Sequence, residues 1–225
     1  MNKLKHIAFI MDGNGRWGKK KNKGRNFGHL KGVDTVKKIV QASIKFKIPI
    51  ITFYVFSTEN WNRPSTEINF LFNLIGLYFK KEINNVVENG IKINILGNIK
   101  PLPKDVKSVL SNTLKKTKKN KKLIVNLALN YGSKNEIKNA FIKIVKNKQN
   151  FTLNNISKNF YTTNLPDPDI LIRTGGKKRL SNFMLWQLAY SELYFLDKLW
   201  PDFNEKDLKK VINNYKLIKR NFGRI

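Results

Sequence analysis

An aspartate, two glycines and an arginine directly follow a short apolar run near the start of the chain. The run covers residues 6–11, and Asp12-Gly13-Asn14-Gly15-Arg16-Trp17 comes after it. Glycines let backbone amides approach a ligand closely, and a guanidinium matches two phosphate oxygens. The carboxylate would repel a bare anion, which suggests a Mg²⁺ between carboxylate and phosphate. The segment predicts a diphosphate site with metal, although a tight turn capped by the aspartate explains the same residues equally well.

The elements that must position this segment alternate between strand and helix along the whole chain. Apolar runs bounded by turn residues predict strands at 6–11, 50–56, 91–96, 123–129, 169–173 and 192–196. Helical spacing predicts helices between them, with a capping box at Ser133 and Glu136 and a cap at Asn204 before the last helix. The pattern predicts one α/β domain over residues 1–225, with a mainly parallel sheet of about six strands flanked by helices.

The composition is strongly basic, with 44 Lys and Arg against 15 Asp and Glu and a formal net charge of +29. Such a charge often indicates nucleic-acid binding, but here the basic residues are mostly lysines scattered through an Asn- and Ile-rich chain. The scatter favours compositional drift, and we expect no nucleic-acid partner. The densest lysine runs, 19–23 and 115–122, lack interleaved aromatics but could attract anionic lipid headgroups at a membrane surface.

Two absences narrow the class of protein. The chain has no cysteine, which excludes disulfides, thiolate metal sites and cysteine nucleophiles. No apolar stretch approaches the ~20 residues that span a bilayer, and the N-terminus lacks the apolar core of a signal peptide. We expect a cytoplasmic protein, with peripheral contact at the inner face of the membrane as an addition.

Polar clusters follow four of the predicted strands, at residues 12–17, 57–63, 130–132 and 173–176. In open α/β sheets ligands bind outside the carboxyl ends of the strands, so these loops should build one site. Five of the seven arginines lie in or just after these loops, although lysine is far more abundant. Bidentate phosphate binding needs the guanidinium fork, and this placement predicts that two diphosphates bind there. The five are Arg16, Arg25, Arg63, Arg173 and Arg179.

Motifs along nearly the whole chain resemble, in order, those of the cis-prenyltransferases, most closely the bacterial undecaprenyl diphosphate synthases. They are HIAFIMDGNGRW (6–17), GH (28–29), FSTENWNRP (56–64), NYG (130–132), IRTGG (172–176), RLS (179–181), WQ (186–187) and WPDF (200–203). The resemblance implies a hydrophobic tunnel, Mg²⁺ as cofactor and a homodimer. It implies condensation of isopentenyl diphosphate onto an allylic diphosphate, with farnesyl diphosphate as primer. The implied product is undecaprenyl diphosphate, the lipid carrier precursor for cell-wall polysaccharide.

The resemblance also implies roles for single residues. Asp12 resembles the aspartate that engages Mg²⁺ and the allylic diphosphate, and Glu192 resembles a metal-binding glutamate. Asn60 resembles the position assigned to proton removal; because an amide is a poor base, we interpret it as positioning water or a diphosphate oxygen. The other positions resemble substrate contacts: Gly13, Asn14, Gly15, Arg16, Arg25 and His29 for the allylic diphosphate, Arg173, Arg179, Leu180 and Ser181 for isopentenyl diphosphate, and Trp17, Ser57, Thr58, Glu59, Trp61 and Arg63 as further contacts.

Other interpretations of these residues stay open. Alone, His29 would be a polar surface residue, Ser57 and Thr58 caps, and Trp17 and Trp61 packing at a rim. A non-catalytic subunit of the same fold would lack Asp12, Arg16 or the arginine loop, and all are present. A basic nucleic-acid binder would show affinity that falls steeply with salt and no turnover of prenyl diphosphates.

The helix expected over residues 68–79 is apolar around more of its circumference than a one-sided amphipathic helix. Core packing alone is the simplest explanation. In the family that the chain resembles, the corresponding helix lines a hydrophobic tunnel. We therefore expect one face to pack on the sheet and another to face the growing chain, so that Trp at Leu74 or Leu77 shortens the product.

Lys177 and Lys178 depart from the family pattern, which commonly has an acidic residue and then a metal-binding histidine. A protonated lysine cannot ligate Mg²⁺. We expect Lys178 to meet isopentenyl diphosphate directly, Asp12 and the substrates to hold the metal, and Glu192 to pair with Lys178 or Arg179. Lysine drift toward solvent is the alternative.

Overall fold

Six parallel strands form the centre of the computed structural model, which describes residues 3–220. They are β1 (His6–Ile10), β2 (Ile50–Ser57), β3 (Ile91–Leu96), β4 (Leu123–Tyr131), β5 (Ile170–Arg173) and β6 (Glu192–Phe195). Their order is β3-β4-β2-β1-β5-β6, and each neighbouring pair is parallel. The predicted fold class is confirmed. Met1, Asn2 and residues 221–225 of the predicted domain lie outside the described residues.

Helices cover the sheet because the strands alternate with amphipathic segments. They are α1 (Asn14–Lys20), α2 (Gly24–Lys45), α3 (Ser65–Glu88), α4 (Lys104–Thr117), α5 (Ser133–Lys146), α6 (Leu153–Lys158) and α7 (Glu205–Leu217), with 3-10 turns at Thr58–Asn62 and Trp200–Asp202. The predicted cap of the last helix is confirmed, since Asn204 Oδ1 accepts from the Lys206 amide at 2.9 Å. Between residues 3 and 220, none of the helices combines the length and apolar character that crossing a bilayer requires.

The segment after Asp12 is a helix, α1, and not the loop that its glycines predict. Glycines at its contact with α2 let the two backbones approach. A Cβ on Gly28 would lie 1.8 Å from the carbonyl oxygen of Asn14, and one on Gly18 would lie 2.0 Å from that of Gly24. Contact with the next helix in the chain therefore stabilises α1, which local propensity does not favour.

The predicted capping box at Ser133 and Glu136 is wrong. Gly132 is the cap of α5, and Ser133 Oγ accepts from the Leu185 amide at 2.9 Å. Glu136 is 2% exposed, and buried polar groups need partners. Its carboxylate takes three donors from elsewhere in the fold: Tyr131 Oη, the Tyr161 amide and Gln187 Nε2.

The order in which strands are added to the sheet reverses at β1. From β1 the chain passes to β2 on one side, and it later returns to β5 on the other. Crevices at such points are the usual ligand sites of open α/β sheets. The strands there are fixed by a buried aromatic core, in which the Phe9 and Phe53 rings stack at 5.1 Å and Trp200 packs edge-on against both.

Candidate active site

A polar cleft opens at the carboxyl ends of β1, β2 and β5, where the strand order reverses. Tyr54 and Asn182, which were not selected from the sequence, are among its lining side chains. The structure brings ten of the residues selected from the sequence together on its wall: Asp12, Asn14, His29, Ser57, Glu59, Asn60, Arg63, Arg173, Arg179 and Ser181.

Asp12 lies between two arginines at the end of β1. Its Oδ1 accepts from Arg16 Nη2 at 3.1 Å, and its Oδ2 accepts from Arg173 Nη2 at 3.0 Å. Its backbone carbonyl accepts from Thr174 Oγ1 at 2.8 Å and from the Trp200 amide at 3.1 Å. The carboxylate is therefore fixed from both sides, with 29% of its side chain still exposed to the cleft.

Arg173 is the buried cation of the cleft, with 4% of its side chain exposed. Its Nη1 donates to the Arg179 carbonyl and to Ser181 Oγ, the latter at 2.8 Å. Its Nε is buried with no hydrogen-bond partner among residues 3–220. Because a buried unpaired donor is costly, this nitrogen indicates a place for a ligand oxygen.

Two glycines are required by the arginines that lie against them. A Cβ on Gly175, whose φ is +87°, would lie 2.4 Å from Arg16 Nη2. A Cβ on Gly15 would lie 2.8 Å from Arg25 Cζ. The glycines of the motifs thus let guanidinium groups rest directly on the backbone.

Glu67, in the first turn of α3, gathers three basic side chains that the sequence placed apart. Its carboxylate accepts from Arg25 Nε at 2.9 Å, from Arg25 Nη2 at 3.0 Å and from Arg63 Nη1 at 3.0 Å. His29 Nε2 lies 3.5 Å from Glu67 Oε1. The Arg25 hydrogen bonds, the largest cause, hold the pKa of Glu67 below its ordinary value. Sequence reasoning missed Glu67, because an acidic residue after Pro64 is typical of any helix start.

Two more polar atoms in the cleft are buried without a hydrogen bond. His29 Nε2 and Asn14 Oδ1 make no hydrogen bond to any residue that the structure describes. Burial is the main cause that lowers the pKa of His29, and Arg63 and Arg25 lower it further, against the opposing effect of Glu67. A neutral imidazole can donate or accept. These atoms, like Arg173 Nε, keep unused hydrogen-bonding capacity beside the cleft.

Asn60 and Glu59 follow β2 in the 3-10 turn. Asn60 Oδ1 accepts from the Ser57 amide at 3.1 Å, which leaves this side chain its N–H donors and supports a positioning role over that of a base. Glu59 accepts from Asn182 Nδ2 at 2.7 Å. Burial raises the pKa of Glu59, but its hydrogen bonds outweigh burial and the net shift is downward, so it is ionised.

Several predicted contacts lie beside the cleft rather than on its wall. Trp17 stacks on Phe27 with ring centroids 5.8 Å apart, and its Nε1 donates to Asp202. Trp61 Nε1 donates to Asn130 Oδ1 at 2.9 Å. The other two are Thr58, which lines a neighbouring polar cavity, and Leu180, which packs against an apolar cluster. For these four residues, a role in substrate binding stays a prediction.

An apolar cavity adjoins the polar cleft. Its walls come from α2, α3 and the sheet, and it shares Met11, Asn14, His29, Val55 and Leu71 with the cleft. A polar site thus continues into an apolar compartment.

Of the two α3 leucines expected to face the growing chain, only one lines the cavity. Leu74 lines the cavity, whereas Leu77 is 65% exposed, so the expectation for Leu77 is wrong. Helical periodicity is the reason: at about 3.6 residues per turn Leu77 lies about 120° around the helix from Leu71, outside the face that Leu71, Ile75 and Tyr78 present to the cavity. A second apolar cavity shares Tyr78 and Phe79 with the first and ends beside the Lys37–Glu82 ion pair.

Glu192 does not join the cleft. It pairs in register with Ile170 at the amino end of the sheet, whereas Arg173 marks the carboxyl end. Its Oε1 lies 3.9 Å from Arg220 Nε, so the expected pairing with Lys178 or Arg179 is wrong. Lys178 itself is exposed. Within the described part of the chain, no three His, Cys, Asp or Glu side chains cluster as metal ligands.

Asp12 nevertheless fits a role in holding Mg²⁺. This ion is commonly bound by one or two carboxylates together with substrate phosphates, rather than by a cage of protein ligands. Asp12 supplies one partly exposed carboxylate, and the basic side chains around it suit phosphate. The residues therefore fit an ion shared between Asp12 and a diphosphate.

Known proteins that are similar to this chain are prenyltransferases or prenyl diphosphate synthases. A family model described as putative undecaprenyl diphosphate synthase matches residues 10–223. An isoprenyl transferase of Rickettsia typhi is 44% identical over 225 residues, covering 100% of both chains. An isoprenyl transferase of Fusobacterium nucleatum is 45% identical over 220 residues, covering 97% of this chain and 95% of the relative.

Two solved structures share the fold. Lavandulyl diphosphate synthase from Lavandula x intermedia, in complex with dimethylallyl diphosphate, has a TM-score of 0.93 and 31% identity, covering 97% of this chain and 98% of that one. A probable undecaprenyl diphosphate synthase from Campylobacter jejuni has a TM-score of 0.86 and 33% identity, covering 100% of both.

Proposed function

The chain belongs to the undecaprenyl diphosphate synthase family of prenyltransferases, and from that premise we propose that it condenses isopentenyl diphosphate units onto farnesyl diphosphate. The proposed product is a long-chain polyprenyl diphosphate, undecaprenyl diphosphate, for use as a carrier lipid. The single observation that carries the proposal is the arginine-lined cleft that continues into an apolar cavity. Such a shape suits a molecule with a diphosphate head and an isoprenoid tail.

The cleft offers two groups of donors for two diphosphates. Near the apolar cavity, the allylic diphosphate would meet Asn14, Arg25 and His29, with Gly13, Gly15, Arg16 and Arg63 around them. Isopentenyl diphosphate would meet Arg173, Arg179 and Ser181 near β5. The dimethylallyl diphosphate held by the lavandulyl diphosphate synthase is itself an allylic diphosphate, which supports this class of substrate.

The chemistry proposed for the site is electrophilic alkylation. The allylic C–O bond breaks and the diphosphate departs with its electron pair, while the isopentenyl double bond attacks the allylic carbon. A proton is then lost to water or to a diphosphate oxygen that Asn60 positions, giving a cis double bond. The arginines stabilise the departing charge, and positioning supplies much of the acceleration. Mg²⁺ shared by Asp12 and the diphosphate would neutralise further charge on the leaving group.

A direct assay tests the proposal. The protein is incubated with farnesyl diphosphate, labelled isopentenyl diphosphate and Mg²⁺, and the products are sized. Labelled polyprenyl diphosphates are the expected result. No turnover together with salt-sensitive binding of RNA or DNA would favour a nucleic-acid binder, and no turnover without such binding would favour a non-catalytic subunit.

The proposed active form is a homodimer. An exposed apolar group on and after α5 supports it: Phe141, Ile142, Val145, Phe151 and Leu153. Such contiguous apolar surface commonly marks an interface. Sedimentation should give twice the chain mass of 26.2 kDa, and Val145→Asp should shift it to one chain mass. A monomeric wild-type protein at micromolar concentration would contradict the proposal.

Contact with an anionic membrane is a further part of the proposal. Lys21 lies over the Trp17 ring at 5.7 Å from its centroid, and Lys23 lies over the Phe27 ring at 4.8 Å. Leu30, in the same helix α2, is 44% exposed. Aromatic rings among lysines suit a charged lipid interface. Co-sedimentation with phosphatidylglycerol vesicles but not with phosphatidylcholine vesicles is expected, and equal recovery with both would contradict it.

Lys178 should act on isopentenyl diphosphate rather than on the primer. Lys178→Ala is expected to raise the KM for isopentenyl diphosphate about 2- to 5-fold, because an exposed charge contributes up to about 1 kcal/mol. The KM for the primer should change less. Lys177→Ala is the matched control, since both lysines are exposed neighbours. If Lys178→Ala leaves both KM values and the Mg²⁺ dependence unchanged, the lysine is compositional drift.

A further inference from the structure

We propose that Glu67 is the positioning residue of the allylic diphosphate subsite, where its carboxylate holds Arg25 and Arg63 by hydrogen bonds beside His29. The assignment of that ligand rests on the proposed function. The cluster itself is a feature of the fold, with 10% of the Glu67 side chain exposed and three basic groups within 3.5 Å of its oxygens.

The three basic residues come from separate parts of the chain. Arg25 and His29 lie in α2, and Arg63 follows the 3-10 turn after β2. Glu67 lies in the first turn of α3, one helical turn before Leu71, which lines both cavities. One carboxylate therefore joins the donors of the polar cleft to the helix that forms the wall of the apolar cavity.

The hydrogen bonds leave donors free for a ligand. Arg25 uses Nε and Nη2 on Glu67, which leaves its Nη1 edge. The guanidinium also rests against Gly15, where a Cβ would lie 2.8 Å from Cζ. Arg63 uses Nη1 and keeps Nη2 and Nε. With 45% of the Arg25 side chain exposed, its free edge is open to an incoming oxygen.

Two effects of the carboxylate on an anion oppose each other. Its negative charge repels a diphosphate. It also offsets the mutual repulsion of the Arg25 and Arg63 guanidinium groups, which both donate to Glu67 Oε1. A diphosphate must bind on the guanidinium edges away from Glu67, so the repulsion acts across the guanidinium groups and is weakened. Long flexible arginine side chains lose their fixed geometry without the carboxylate. We therefore expect positioning to outweigh repulsion.

Calorimetry with inorganic pyrophosphate tests this without turnover. The titration is made in an Arg179→Ala background, which removes an exposed arginine from the other subsite. Glu67→Gln should weaken pyrophosphate binding at least about 10-fold, by analogy with the loss of a residue that orients a metal ligand. Glu67→Asp, which keeps the charge but shortens the reach, should lie between. Because no condensation is required, failure of the proposed reaction and failure of this inference give different results.

Glu82→Gln is the matched control for the binding measurement. Glu82 lies on the same helix, is 13% exposed in its side chain, and pairs with Lys37 at 2.6 Å, outside the cleft. It should leave pyrophosphate affinity unchanged. The inference would be overturned if the Glu67→Gln variant bound pyrophosphate as tightly as the wild-type protein or more tightly. It would also be overturned if Glu82→Gln weakened pyrophosphate binding as much as Glu67→Gln does. If Glu67→Gln does not fold, as judged by circular dichroism, the same criteria apply to Glu67→Asp.

A double-mutant cycle shows whether Glu67 acts through the arginine. Glu67→Gln should lower pyrophosphate affinity less in an Arg25→Ala background than in a protein that retains Arg25. The reason is that the effects of mutations within one network are not additive. Equal cost in both backgrounds would mean that Glu67 does not act by holding Arg25. In kinetics, Glu67→Gln should raise the KM for the primer more than that for isopentenyl diphosphate. Equal changes of both KM values would indicate general destabilisation instead.

Discussion

Asp12→Asn should reduce condensation by on the order of 10³-fold, and added Mg²⁺ should not restore it. The amide has nearly the shape of the carboxylate, so the contacts that hold residue 12 through its backbone should persist. Its missing charge removes the proposed Mg²⁺ ligand and the counter-ion that Arg16 and Arg173 share. Steady-state kinetics with farnesyl and isopentenyl diphosphates over a range of Mg²⁺ concentrations would measure the loss.

Asp34→Asn is the matched control for Asp12→Asn. Asp34 lies on α2 with 52% of its side chain exposed, pairs at the surface with Lys31 at 3.1 Å, and is outside the cleft. Its variant should keep wild-type turnover. Substantial turnover of Asp12→Asn, or recovery at high Mg²⁺, would show that residue 12 does not hold the ion through its charge.

Local patterns were sufficient to predict the strands, because each is a short apolar run bounded by turn residues. The run at 6–11 is observed as His6–Ile10, and the one at 91–96 as Ile91–Leu96. The helix α1 could not be predicted in the same way. Its sequence is glycine-rich, and its stability depends on close contact with Gly28 of a helix that begins later in the chain.

The arginines of the site were predictable because their positions after strand ends determine where they meet. Glu67 was not, since its position at a helix start has an ordinary explanation and only the fold shows its three basic neighbours. Glu192 is the opposite case, a residue that the resemblance selects but that the fold places outside the cleft. The resemblance implies a ligand type for it, but its register at the amino end of β6 places it away from Asp12 within one chain.

Leu74→Trp should shorten the polyprenyl products while leaving the first condensation intact. Leu74 lines the apolar cavity, and the larger indole would occupy space that the growing chain requires. The diphosphate donors lie in the cleft beyond Leu71, so primer binding should change little. Leu77→Trp, on the same helix but at a position 65% exposed, should leave product length unchanged. Chromatography of dephosphorylated, labelled products measures the distribution. Wild-type lengths from Leu74→Trp, or equal shortening by both variants, would mean that the cavity does not hold the product tail.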